Sequence, residues 1–388
     1  MNSETRICKT CKIDFEIAPE DILFYEKMQV PSPTLCPECR MVRRMLFFNE
    51  RSLYKRTCDL CGKAVISSHP KTAKHPVYCQ PCWWSDQWDA LDFGREYDFS
   101  RTFFEQFKEL LDTVPLSALN NIHVSNVNSE YCNMTSYVKN CYLCFNTDYS
   151  EDSAFSCYLE HSKRCYDVDH GLQNELCYDS IGLYKCYNVK YSANLDECID
   201  VLFSRDLKGC TNCFGCINLR NRQFCWFNEQ KTKEEYFAEI AKYDLTTRDV
   251  VDELKKKSQD FFATQPHKYM TGIGNKNTTG DYIFWSKNVH KSYDIVGMED
   301  SKYCQFFIIE GSKNCMDVTM WGSNLMQAYE CLAVGNNQNN MLGCFESWNE
   351  AANLTYCRLI YASCFDLFGC IAMRNKRYCI LNKQYSRE

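Results

Sequence analysis

At 388 residues, 45% hydrophobic and 24% charged, the chain has the balance of an ordinary soluble protein and room for two or three domains. It contains no apolar run long enough to span a bilayer. Its opening, Met1-Asn2-Ser3-Glu4-Thr5-Arg6-Ile7-Cys8, lacks the apolar core of an export signal, so a membrane role and a disulfide-rich secreted class are not supported. The 28 cysteines therefore read as metal ligands or small buried hydrophobes of a reducing cytoplasm.

The first 82 residues carry four Cys-x-x-Cys knuckles: Cys8/Cys11, Cys36/Cys39, Cys58/Cys61 and Cys79/Cys82. Two thiolates at this spacing bite one tetrahedral ion, and two knuckles close a four-sulfur site with no open position, so the expected ions are structural zincs. The 17 residues between Cys61 and Cys79 suit a zinc ribbon, and the 24 between Cys11 and Cys36 form a longer loop of the same kind. Loop closure favours sequential pairing, giving two zinc ions in a double ribbon over residues 1–92.

The net charge of −6 is uneven. Nine basic residues between Arg40 and Lys74 face only Glu50 and Asp59, while the rest of the chain is acidic. Arg40, Arg43 and Arg44 follow a knuckle at i, i+3, i+4 on what reads as a short helix. With Arg51, Lys55 and Arg56 they are the candidate nucleic-acid contacts. The competing reading is that they neutralise the thiolates. Trp83, Trp84 and Trp88 are read as packing the zinc module onto the body rather than stacking bases. With four cysteines available, neither His69 nor His75 is needed as a ligand.

Residues 93–119 are a linking helix, opened by the Thr102-x-x-Glu105 capping box and carrying Phe103, Phe107, Leu110 and Leu111 on one face. Beyond it a new cysteine rhythm begins. Cys144, Cys165 and Cys186 are spaced by 21, and Cys157, Cys177 and Cys198 by 20 and 21, within repeated Cys-Tyr text. A period near 20 with β-prone residues after each cysteine predicts stacked strands, with cysteines as internal ladders and alternate side chains outside. The terminal text Phe214-Gly-Cys…Cys225…Asn228-x-Gln230 recurs as Phe368-Gly-Cys…Cys379…Asn382-x-Gln384. The fold class is therefore mainly β: a double zinc ribbon, then duplicated Cys-rich parallel β-helix-like solenoids over 120–230 and 275–388. A helical connector joins them over 231–274, begun by Thr232-x-x-Glu235. The second copy stops at the corresponding helix start, so its C-terminal helix reads as truncated. Cys210, Cys213 and Cys216 are read as core, because Cys213 aligns with Leu367 in the second copy.

The run Cys8-x-x-Cys11…Phe24-Tyr25…Pro33-x-x-Cys36-Pro-Glu-Cys39-Arg40-x-x-Arg43-Arg44 resembles treble-clef zinc-ribbon domains. The Cys-Tyr solenoid resembles the body of bacterial proteins that carry this ribbon. The resemblance spans nearly the whole chain and implies zinc ligands, with no particular activity. Function is accordingly expected to be non-catalytic: a basic zinc head contacting nucleic acid on a rigid solenoid platform, with a protein-interaction scaffold as the alternative. A β-helix carbohydrate enzyme using Asp167, Asp169, Asp179, Asp196 or Asp200 is the third reading. No small-molecule substrate is identified.

Overall fold

The computed structural model describes residues 2–122, 125–307, 311–320, 328–335, 338–348 and 350–388. The head begins with the hairpin β1 (Glu4–Ile7) and β2 (Asp14–Ile17), then α1 (Pro19–Lys27) and α2 (Pro37–Met45). A second hairpin, β3 (Tyr54–Thr57) with β4 (Ala64–Ser67), is followed by β5 (Val77–Tyr78) and the one-turn α3 (Gln80–Trp83). The capping-box helix is α4 (Phe103–Leu111), and β6 (Leu116–Ser117) pairs in parallel with β5. Between the solenoids lie α5 (Lys233–Ile240) and α6 (Arg248–Ala263).

Between residues 133 and 380, outside α5 and α6, the described residues wind as a parallel β-solenoid. In its first part the rungs are twelve residues apart, as in Phe145↔Cys157, Asp169↔Cys157 and Ile199↔Thr211. Each coil has four three-residue sides. Every third residue points inward, the next outward, and the last sits at positive φ, as do Asp152, Phe155, Tyr158 and His161. This left-handed conformation costs a non-glycine residue about 1–2 kcal/mol, and regular pairing of its backbone groups offsets that cost. The Phe155 N–H donates to the Tyr142 carbonyl at 3.0 Å, and the Tyr142 N–H to Ser153 at 3.1 Å.

The cysteine period near 20 is therefore corrected to a triplet within a twelve-residue coil, and outward side chains are not simple alternates. A step of 21 is seven triplets, which keeps Cys144, Cys165 and Cys186 inward but moves each to a different wall. Serine, valine and leucine share the ladders, so cysteine alone samples the register irregularly. One ladder runs Ser153, Cys165, Cys177, Val189, Val201, Cys213 and Cys225; another is Leu159, Gly171, Leu183, Leu195 and Leu207, all buried. Cys157 breaks phase: it is buried on an outer face near Arg51, Asp169 and Glu50.

The polar inward residues bond the coils together. Ser150 Oγ accepts from the Ser162 N–H at 3.1 Å, Ser162 Oγ from Asn174 at 3.2 Å, and Asn174 Oδ1 from Cys186 at 2.8 Å. The recurrent terminal motif closes each stack. Asn228 Oδ1 accepts from the Ile217 N–H at 2.9 Å and Asn382 Oδ1 from Ile371 at 2.7 Å, standing in for the next coil. In the second solenoid the spacing loosens from twelve residues (Lys287↔Glu299) to fourteen (Glu299↔Lys313) and thirteen (Met341↔Leu354).

Cys165→Ala should cost only about 1–2 kcal/mol in denaturant unfolding, since one sulfur leaves a small void. Cys165→Asp should abolish cooperative folding, because the ladder offers a carboxylate no partner. Rapid labelling of most ladder thiols in the native protein would contradict this packing.

The helices lie along one outer face of each solenoid. α6 packs with Phe203, Phe214 and Trp226 of the first, in a cluster with Tyr236 of α5. α4, adjacent in sequence to the first solenoid, instead lies on the second, with Phe103 4.7 Å from Phe368 and 5.4 Å from Tyr356. The solenoids meet along a different face. There the His170 ring has Nδ1 2.7 Å from Asp169 and Nε2 3.2 Å from Asp294 of the second solenoid. Burial disfavours its charge, but the hydrogen bonds to the two carboxylates raise its pKa to about 9. A raised histidine pKa contributes stability that is complete below the unfolded value near 6.5 and is lost as pH rises through about 9. His170 is partly solvated, so the contribution after screening should be on the order of 2 kcal/mol. Native protein should lose that much between pH 6 and pH 9.5 relative to a His170→Gln variant, measured by denaturant melts.

Candidate metal centres

Each cysteine tetrad is assembled by the same local design. A hairpin turn supplies one knuckle and the start of a helix supplies the other. Cys8 and Cys11 lie in the β1–β2 turn, and Cys58 and Cys61 in the β3–β4 turn. Lys12 (φ 64°) and Gly62 (φ 73°) occupy the same left-handed position just after the turn knuckle. Cys36 is the N-cap of α2 and Cys79 of α3, each followed within two residues by a proline suited to a first helical turn.

The sulfurs of Cys8, Cys11, Cys36 and Cys39 lie within 4.8 Å of one another, as do those of Cys58, Cys61, Cys79 and Cys82. These are the two sequentially paired tetrads, and each could hold a metal ion. Cys11 and Cys36 sulfurs are 3.8 Å apart, as are those of Cys61 and Cys79. A tetrahedral ion with metal–sulfur bonds of about 2.3 Å requires sulfur–sulfur edges of about 3.8 Å. The donor sets fit.

Backbone amides complete the electrostatics. The Cys36 N–H donates to the Cys8 sulfur at 3.3 Å and the Cys79 N–H to the Cys58 sulfur at 3.2 Å. Burial opposes ionisation of Cys8, but the amides of Cys36, Cys11 and Thr10 bring its pKa down to about 6. Cys58 is lowered to about 7, with burial outweighed by the amides of Cys61, Cys79 and Leu60. His69 and His75 stand outside both tetrads, 3.2 Å from each other. Burial and its neighbour hold His69 down to about 3.

The arginines that follow the first tetrad point into the protein. Arg40 is 1% exposed and Arg44 4%, both against Asp317 of the second solenoid, which is fully buried. Arg40 Nε donates to Asp317 at 2.7 Å and its Nη1 to the Leu35 carbonyl at 2.7 Å; Arg44 Nη1 is 3.6 Å from Asp317. Burial disfavours the Arg40 charge, yet Asp317 lifts its pKa above the ordinary value, whereas burial prevails at Arg44. Arg43 pairs with Glu330, Arg51 lies 3.6 Å from Glu50 and 3.8 Å from Asp169, and Arg56 is 3.3 Å from Asp59. Lys55 is exposed. The expectation that Arg40 and Arg44 meet phosphate is thus corrected: a side chain buried against a carboxylate is not on offer to a polyanion. Asp317 and Glu330 were missed from sequence because nothing local marks two acids 277 and 287 residues away as partners of this helix.

The tryptophans join the second ribbon to the second solenoid. Trp83 is completely buried, its ring 5.1 Å from Tyr361, with the Arg374 guanidinium 4.3 Å above it. Of the surface acids considered for catalysis, Asp169 contacts His170, Asp179 pairs with Lys255 and Asp196 with Lys208, while Asp200 accepts from Asn188. Asp167 and Asp179 share one outer face, and the other three lie on three different faces.

No protein-family model matches the chain, and no curated protein matches it. Among the described residues no helix is long and apolar enough to cross a membrane.

Proposed function

We propose that this is a non-catalytic protein-interaction scaffold in which two structural zinc ions hold the ribbons that clamp the solenoids into a platform. The thiolate tetrads suit zinc, which binds four sulfurs tetrahedrally and takes no part in redox chemistry. The carrying observation is the Arg40–Asp317–Arg44 contact: the head uses its main cluster of arginines on its own body. Both tetrads present clustered free thiols, the reduced form that a metal takes, which supports a reducing, cytoplasmic setting. The zinc-loaded full chain should retain protein partners in a pull-down after nuclease treatment. Loss of all captured material with nuclease would overturn the scaffold reading.

One observation favours a nucleic-acid contact as the second reading. Lys55, Lys63 and Lys71 are exposed on the second ribbon, with no ion pair among the described residues. If they grip phosphates, retention at about 50 mM salt should fall steeply as salt rises. It should also fall in a Lys55→Glu/Lys63→Glu/Lys71→Glu protein that still binds metal.

A further inference from the structure

The two solenoids can be superposed rung by rung from their shared Phe-Gly-Cys motif. Phe214 corresponds to Phe368, and pairing steps back through Leu202 and Thr355, Lys190 and Leu342, Tyr178 and Tyr329, Tyr166 and Met316. One further step matches Ala154 with Lys302. The residues that follow on the same face therefore correspond as Asp179 to Glu330, Asp167 to Asp317 and Phe155 to Tyr303.

On the second solenoid this face is covered by the first ribbon. Asp317 holds Arg40 and Arg44, and Glu330 holds Arg43. Tyr303 lies 5.4 Å beneath the Arg40 guanidinium, and Tyr329 packs 5.2 Å from Tyr25. On the first solenoid the lower part of the same face is covered by α6, whose Lys255 reaches Asp179 at 2.6 Å and lies 4.9 Å over Tyr191. Lys255 thus repeats the role of Arg43. Above that rung the cover stops. Tyr142 is 47% exposed, Phe155 54% and Tyr166 44%, and exposed Asp167 has no ion-pair partner among the described residues.

We propose that this uncovered face of the first solenoid is a docking site for a partner protein that presents an arginine-bearing helix, as α2 does to the second solenoid. Asp167 would receive a pair of guanidinium groups one turn apart, and Phe155 and Tyr166 would lie beneath them. Charge agrees: between Glu130 and Asp179 this face carries three acids (Glu130, Asp167, Asp179) and no base. Continuity agrees as well, because the occupant would abut α6 on a face both solenoids use for helices. A second copy does not supply the helix, since its own α2 is held by Asp317 and none of its other helices carries two arginines one turn apart. The inference rests on the scaffold reading and names the chemistry of its partner.

The test uses the zinc-loaded full chain and a fluorescent, helix-stapled synthetic peptide of residues 37–46 carrying Cys39→Ser. Anisotropy titration should show one peptide bound per chain. Asp167→Lys in the protein, or Arg40→Gln/Arg43→Gln/Arg44→Gln in the peptide, should each weaken binding at least tenfold. Phe155→Ser/Tyr166→Ser, also at exposed positions, should weaken it with the melting temperature unchanged. No binding at about 1 mM peptide, or binding indifferent to Asp167→Lys, overturns the proposal. So does a concentration-dependent dimer in sedimentation that Asp167→Lys abolishes, which would assign the face to a second copy. A chain that fails this titration but still retains proteins after nuclease leaves the scaffold reading standing.

Discussion

Asp317→Ala should be among the most damaging single substitutions in the protein, costing roughly 3–5 kcal/mol. It leaves Arg40 and Arg44 buried without their carboxylate, and neither guanidinium can reach water without lifting α2 off the second solenoid. The loss should be local first. Hydrogen exchange in α1 and α2 should accelerate by orders of magnitude while the coils of the first solenoid keep their protection. Asp317→Ala combined with Arg40→Met and Arg44→Leu should recover most of the stability, because an apolar contact of similar volume avoids the desolvation penalty of the ion triad. Equal stability of the single and triple variants would show that the charges matter little there. Lys302, 2.8 Å from buried Asp21, is a second ion pair on the same interface and should give a smaller effect in the same direction.

Metal removal should have the other large effect. Metal analysis of the purified chain should find about two equivalents of zinc. Structural zinc supplies an apparent folding free energy of about 10–16 kcal/mol in zinc-finger peptides, so strong chelation should unfold the head outright. Cys58→Ser should release one equivalent and leave the first tetrad loaded. The far-ultraviolet signal of the solenoids should persist through both treatments, because their coils are tied by backbone ladders and inward serines rather than by metal. Release of the head should nonetheless expose Trp83, and its fluorescence should shift to the red as the contacts with Tyr361 and Arg374 are lost. Fewer than two equivalents in freshly purified protein, or an unchanged tryptophan spectrum on chelation, would count against this coupling.

How much was legible beforehand differed by element. Both tetrads could be read directly, because a Cys-x-x-Cys knuckle carries its geometry within four residues and the pairing follows from short loops. The capping boxes at Thr102 and Thr232 likewise marked helix starts that the structure keeps, since their hydrogen bonds span three residues. The solenoid was legible as a repeat, yet its pitch was not. Cysteine shares the inward ladders with serine, valine and leucine, so the chemical period near 20 concealed a geometric triplet that depends on a left-handed residue in every side. Asn228 and Asn382 were visible as a recurrent motif, and their work as end caps emerged only once the missing next coil was seen.

Local order in the chain thus determined the candidate ligand sets, the repeat class and the helix starts after Thr102 and Thr232, all of which rest on contacts between near neighbours. Tertiary structure alone decided where the head sits and which acids its arginines meet. Arg40, Arg43 and Arg44 look alike in sequence whether they face phosphate or protein, because guanidinium geometry suits both acceptors. Asp317 and Glu330 meet these arginines from the far end of the chain, on rungs whose position depends on the coils stacked before them.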